Sequence, residues 1–169
     1  MSRSVPTRQH AVKSKSAPAP RTPEGEAFSA LIIQIFQLNG RLLAIGDALA
    51  APAQQTSARW QVLAAVESEP RSVANIARLL GLARQSVQRL ADLLEADGLA
   101  RYSENPSHLR AKLLELTDAG RAALAIIATA QHAWANRLGA EVTLSVLRRT
   151  SSSLARVLEL LAEDVPGEG

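Results

Sequence analysis

Arg84, Gln85, Ser86, Gln88 and Arg89 stand together in the segment ARQSVQRLADLLEA, and their side chains carry the donors and acceptors that read base edges. Arginine can give two hydrogen bonds to guanine, glutamine can pair both ways with adenine, and a serine hydroxyl can reach a base or a phosphate. Taken singly, an Arg or Gln on a helix is ordinary solvated surface. Placement changes the reading, because Val87, Leu90, Ala91 and Leu94 fall on one face of a helix and leave the polar residues on the other. By position Arg84, Gln85, Ser86 and Gln88 are candidates for base edges and Arg89 for a phosphate.

The elements needed to hold such a helix flank it. Ser72 can cap a preceding helix in which Val73, Ile76, Ala77 and Leu80 face inward. Gly81 permits a tight turn, and Leu82 is expected to fill its inside. Gly98 ends the second helix, after which Leu99 to Ser103 alternates as a strand does and Ala111 to Leu116 returns. Asn105-Pro106 marks the hairpin tip between them. Such a wing would lay His108, Arg110 and Lys112 along a nucleic-acid backbone or in its minor groove. Arg110 fits a second role equally well, as the ion-pair partner of an acid on the head.

Further out, Phe28, Ile35, Leu42 and Leu49 recur at sevens in a long amphipathic helix that runs from Glu24 to about Ala51-Pro52. A helix capped by Thr56 should run from Ser57 to Ser68, with Trp60 at an inward position and Pro70 as its stop. Thr117 caps another helix that continues to about Leu138. The last carries Leu144, Leu147, Leu154, Leu158 and Leu161. These apolar stripes exceed what one small head can cover, so a two-fold pair of chains is expected. The expected organisation is a basic arm over 1–23, a dimerisation helix over 24–55, a helix-turn-helix with a two-stranded wing over 56–118, and dimerisation helices over 119–169. The fold class is mainly α.

Composition narrows the function classes. Of 169 residues 47% are apolar but only 3% aromatic, so the interior must be built from Leu, Ala, Ile and Val. With no cysteine there is no disulfide, thiolate nucleophile or Cys-ligated zinc. No uninterrupted apolar run approaches the roughly 20 residues that cross a bilayer, and the expectation is a cytoplasmic protein without a membrane partner. The net charge of +3 is uneven. Residues 1–23 hold five basic side chains and no acid, and residues 71–112 hold seven against four, while the remainder holds seven against twelve. Positive charge thus gathers on the arm and the head, where phosphate neutralisation needs it. The three histidines lie far apart at His10, His108 and His132. Neither a metal-ligand spacing nor a Gly-rich phosphate loop nor a Gly-x-Ser-x-Gly elbow occurs, so an enzyme, a metal site and a cofactor are not expected.

The segments Trp60-Gln61-Val62-Leu63, Ile76-Ala77-Arg78-Leu79-Leu80-Gly81-Leu82, Gln85-Ser86-Val87-Gln88-Arg89-Leu90, Leu93-Leu94-Glu95-Ala96-Asp97-Gly98-Leu99 and Leu116-Thr117-Asp118-Ala119-Gly120-Arg121 follow in the order and spacing of one family. In these segments the chain resembles the MarR family of winged-helix transcriptional regulators from about Phe28 to Leu161. The resemblance implies a homodimer with intertwined first and last helices. Such a dimer binds double-stranded DNA at an inverted repeat and represses transcription until a small aromatic or phenolic effector releases it. It also implies a ligand crevice lined by Ile35, Asn39, Leu42, Trp60, Ile127 and Gln131, although an inward Trp is more ordinarily core. The chain departs from the family at the wing tip, where Leu109 stands at a position usually held by Arg. The basic arm could compensate for that loss. Two other readings are a dimeric helical module that docks on protein, and a DNA-binding protein without ligand control. Against the first, Arg84, Gln85 and Arg89 offer donors rather than the apolar anchors of protein interfaces.

Overall fold

Helix boundaries fall where the sequence supplies groups that satisfy the free ends of the backbone. The computed structural model describes residues 20–106 and 111–164. Its helices are α1 (Pro23–Ala50), α2 (Ser57–Ala65), α3 (Val73–Leu80), α4 (Arg84–Ala96), α5 (Asp118–Gly139) and α6 (Leu144–Asp164). Its strands are β1 (Arg71–Ser72), β2 (Ala100–Ser103) and β3 (Leu113–Leu116). The chain forms two compact units, one through Asn39 and one from Gly40 onward. The arm expected over residues 1–23 lies almost wholly outside the described residues, as do His108, Arg110 and the rest of the wing tip from 107 to 110.

Three expected caps are present. Thr56 accepts from the Arg59 N–H, Ser72 from the Asn75 N–H and Thr117 from the Gly120 N–H. Each satisfies one of the amide groups that an α-helix leaves without a partner at its start. α3 ends on Gly81 in the left-handed region at φ 64°, and the Leu82 N–H closes the turn on the Ala77 carbonyl at 2.9 Å. The Leu82 side chain does not fill that turn as expected; it is exposed, so its backbone alone does the closing.

One further expectation is corrected and another is extended. α2 stops at Ala65 rather than Ser68, because the Val66 N–H turns back onto the Leu63 and Ala64 carbonyls three residues short of Pro70's influence. The two-stranded wing expected is present as β2 and β3, and a third strand, β1, joins it. Arg71 and Ser72 pair antiparallel with Leu114 and Leu113, giving the order β1-β3-β2. On the other edge of β3, Ala100 pairs with Leu116 and Tyr102 with Leu114.

The core of the second unit is made where α2, α3 and α4 meet this sheet. Val62, Leu63, Ile76, Val87, Ala91, Leu94 and Leu114 are fully buried there, and Leu124 of α5 joins them. Burying a side chain of this size is worth about 1.5–3 kcal/mol, so the core side of α4 is fixed and its opposite side is left outward.

In the first unit, Leu31, Ile32 and Ile35 of α1 are half-buried, while Ile33 and Phe36 are exposed. By length and composition α1 and the 3₁₀ turn after it (Pro23–Ala53) could cross a bilayer, with a mean hydropathy of 1.5. Counting uninterrupted apolar runs overlooked this, since Gln34, Gln37, Asn39 and Arg41 break them. The same composition also suits a helix that packs against another protein surface.

α5 begins in close contact with the turn that follows α4. The Thr117 N–H donates to the Leu99 carbonyl at 3.1 Å, and the Thr117 hydroxyl donates to the Gly98 carbonyl at 2.7 Å. Gly120 is buried in this contact, and a Cβ added there would collide with the Leu99 carbonyl oxygen. Gly120→Ala should therefore lower unfolding stability by about 2–3 kcal/mol, the scale of forcing a methyl into filled space. Urea denaturation reads this as a lower midpoint at unchanged slope. An unchanged midpoint would mean that α5 backs away from Leu99 at no cost.

Candidate nucleic-acid interface

α4 presents one continuous polar face. Val87, Ala91 and Leu94 are buried, whereas Arg84, Gln85, Ser86, Gln88 and Arg89 are all exposed. Its N-cap, Ala83, has only a methyl group and makes no side-chain cap bond; the Ser86 and Val87 N–H groups donate to its carbonyl instead. The expected placement of these five residues on the solvent side of the second helix is what the structure contains.

Ion pairs thin the positive charge counted along the sequence. Arg71 pairs with Glu69 at 2.7 Å and Arg101 with Glu115 at 2.7 Å across the sheet. Arg59 of α2 pairs with Asp97 at the end of α4 at 2.6 Å, tying those two helices together. Among the described residues of the head, this leaves Arg78, Arg84, Arg89 and Lys112 without an ion pair. Arg78 instead donates to the Asn75 amide at 3.1 Å. Free guanidinium and ammonium groups on one head are suited to phosphate, because each neutralised phosphate releases condensed counterions.

Two concavities flank α4. One, of about 440 Å³, lies between Ser72 and Ala74 at the start of α3, Arg84 and Gln88 on α4, and Tyr102 and Lys112 of the sheet region. The other, of about 410 Å³, is bounded by Gln85, Gln88, Arg89 and Leu93. Gln88 borders both and so sits at the middle of the face.

Gln88 is not a free amide. Its Nε2 donates to Asp92 Oδ1 at 2.7 Å and to the Tyr102 hydroxyl at 2.8 Å, and that hydroxyl donates to the same Asp92 oxygen at 2.8 Å. Burial, reinforced by the Asp92 carboxylate, pushes the Tyr102 pKa well above the ordinary tyrosine value, so the hydroxyl keeps its proton. Neither Asp92 nor Tyr102 was among the residues singled out from the sequence. The one available signal was the Gln88–Asp92 spacing of four, which makes neighbours on a helix. Nothing local marks Tyr102, fourteen positions beyond Gln88.

The residues expected to line a ligand crevice are differently disposed. In the first unit Ile35 is half-buried and Asn39 exposed. In the second, Leu42 is exposed, Gln131 is half-buried, Trp60 packs partly buried against the core, and Ile127 is fully buried. Among the described residues no three His, Asp or Glu side chains gather as metal ligands do.

The MarR family model matches residues 55–111, the span from the approach to α2 as far as the residues just before β3. The uncharacterized protein Rv2011c of Mycobacterium tuberculosis is 38% identical over 136 residues, covering 80% of this chain and 95% of its own length. The chain belongs to the MarR family. The fold agrees with that of solved MarR-type regulators. The Mycobacterium tuberculosis regulator MosR, solved in complex with DNA, superposes with a TM-score of 0.64 at 23% identity over 77% of this chain and 96% of its own. CouR from Rhodococcus jostii, solved with bound p-coumaroyl-CoA, gives 0.68 at 21% identity over 75% and 90%. In family and fold this chain is a DNA-binding transcription regulator with a winged helix-turn-helix head.

The free cations of this MarR head make a prediction that needs no operator sequence. Lys112→Ala should weaken binding to any duplex alike and reduce the slope of log affinity against log salt by about 1, as expected for the loss of one phosphate contact. Titrations of random-sequence duplex at several salt concentrations measure it, and an unaltered slope would remove Lys112 from the interface.

Proposed function

We propose that the chain acts as a homodimer that binds an inverted-repeat operator through α4 and represses transcription until a small aromatic ligand releases it. The observation that carries the DNA half is the outward face of α4, where Arg84, Gln85, Ser86 and Arg89 stand exposed and the two arginines have no ion pair among the described residues. Arg84, in the first turn, is the position from which a recognition helix reaches base edges. Gln85 and Ser86 follow it onto the same surface. Arg89, a turn later, is placed for phosphate. Lys112 extends the contact toward the wing, and His108 and Arg110 complete it in this proposal.

Pairing of chains is supported by apolar surface that a single chain leaves uncovered. α6 exposes Leu144, Leu147, Leu158, Leu160 and Leu161, and α1 exposes Phe28, Phe36, Leu38, Leu42 and Leu43. Apolar area of this extent on a monomer marks a partner surface. Chains related by a two-fold axis present two copies of α4, and a target with matching symmetry follows. The p-coumaroyl-CoA bound to CouR supports an aromatic effector for this chain too, with Ile35, Asn39, Leu42, Trp60, Ile127 and Gln131 as the proposed lining.

Footprinting of the full-length protein on DNA upstream of its own gene and that gene's neighbours should show one protected site with two-fold symmetry. Metabolites made by the neighbouring gene products should then be tried for release. Arg84→Ala should weaken binding to that site by about 1–3 kcal/mol, the scale of one good base contact, with much less effect on unrelated duplex. The solution mass should stay at two chains. Equal weakening on both duplexes would reduce Arg84 to a phosphate contact, and a single-chain mass at micromolar concentration would end the dimer.

A further inference from the structure

The triangle of Gln88, Asp92 and Tyr102 uses every hydrogen its members have to give. A glutamine amide nitrogen carries two hydrogens and a tyrosine hydroxyl one, while an ionised carboxylate only accepts. Here the two amide hydrogens go to Asp92 Oδ1 and the Tyr102 oxygen, and the hydroxyl hydrogen goes to Asp92 Oδ1. The carboxylate also fixes which end of the amide faces it, since the carbonyl end of Gln88 would oppose oxygen to oxygen. The Oε1 atom is therefore the end left over, and among the described residues it accepts no hydrogen bond. Tyr102 is itself held, because its ring packs partly buried against the core and its backbone pairs with Leu114 in the sheet. The amide is thus anchored from the wing as well as from its own helix.

Bases differ in what they offer such an atom in the major groove. Adenine presents the N6 amino donor beside the N7 acceptor, and cytosine presents the N4 amino donor; guanine and thymine present acceptors, O6 and N7 or O4. An unrestrained glutamine uses both ends of its amide and prefers adenine. We propose that Asp92 and Tyr102 are positioning residues that hold Gln88 as an acceptor only, so that it selects adenine or cytosine over guanine or thymine on the strand it faces. This rests on α4 being the base-reading helix.

The test takes duplexes selected from a random pool by the full-length protein and places each of the four bases in turn at every position of the half-site, with affinity measured by competition. The wild type should show one position at which adenine and cytosine bind within about threefold of each other, and guanine and thymine bind about tenfold more weakly, as for a single mismatched pair. Tyr102→Phe keeps the packed ring and removes the hydroxyl; Asp92→Ala removes the carboxylate. Each variant removes one of the two acceptors and so frees one amide hydrogen to donate to N7, and at that position adenine should gain about tenfold over cytosine, with the base order elsewhere and the thermal midpoint unchanged. An unaltered base order in both variants, or equal weakening at every position, overturns the proposal. A wild type that binds a selected site specifically but has no amino-against-keto position overturns it and leaves the regulator reading standing. A pool that yields no enriched duplex overturns the base-reading helix and the proposal with it.

Discussion

The head is organised around the close approach of α5 to the turn after α4. Thr117 receives the Gly120 N–H, gives its own N–H to the Leu99 carbonyl and its hydroxyl to the Gly98 carbonyl. Three requirements meet at this point: α4 must stop, β2 must start, and α5 must leave β3. Gly98 supplies the left-handed backbone at φ 72° that ends α4, and Gly120 supplies the missing side chain that lets α5 come near. With the end of α4 fixed here and at Asp97 by Arg59, and its inner side fixed in the core, the outward face is set by packing. Arg84, Gln85, Ser86 and Arg89 on that face are exposed and take no part in this packing.

What the sequence disclosed followed from how local the cause was. The caps Thr56, Ser72 and Thr117, the Gly81 turn and the inward row Val87, Ala91 and Leu94 each depend on a few neighbouring residues, and all were legible as spacing. β1 was not, since two residues cannot show alternation; Arg71 and Ser72 become a strand only because Leu113 and Leu114 lie alongside. The end of α2 was placed too late because Pro70 was read as the stop, whereas the chain must turn earlier to enter β1. For the charged and polar residues of the head, exposure was legible and electrostatic availability was not. Arg71 and Arg101 counted as positive charge along the chain, yet each is already paired, with Glu69 and Glu115. Gln88 looked like any exposed glutamine until the fold brought Tyr102 to it.

Different elements of the chain are thus held by different means. The head is shaped by hydrogen bonds and ion pairs among α2, α4 and the sheet, each directed and each tied to named partners. Among the described residues, the exposed apolar side chains of α1 and α6 take no part in such a network. Hydrophobic burial is non-directional and tolerant of sliding, so surfaces of that kind accommodate small changes of angle in whatever packs on them without loss of area.

The two-residue strand β1 carries a mechanical implication. Ser72 pairs through its backbone with Leu113 and, through its hydroxyl, caps α3 by accepting from the Asn75 N–H at 3.3 Å. One residue therefore belongs to the wing sheet and to the helix that precedes α4. Any force that shifts β3, such as a wing pressed against a DNA groove, is transmitted to the first turn of α3 without crossing a loop. Sheet and helix-turn-helix are thus jointed at Ser72, where a displacement of the one meets the first turn of the other.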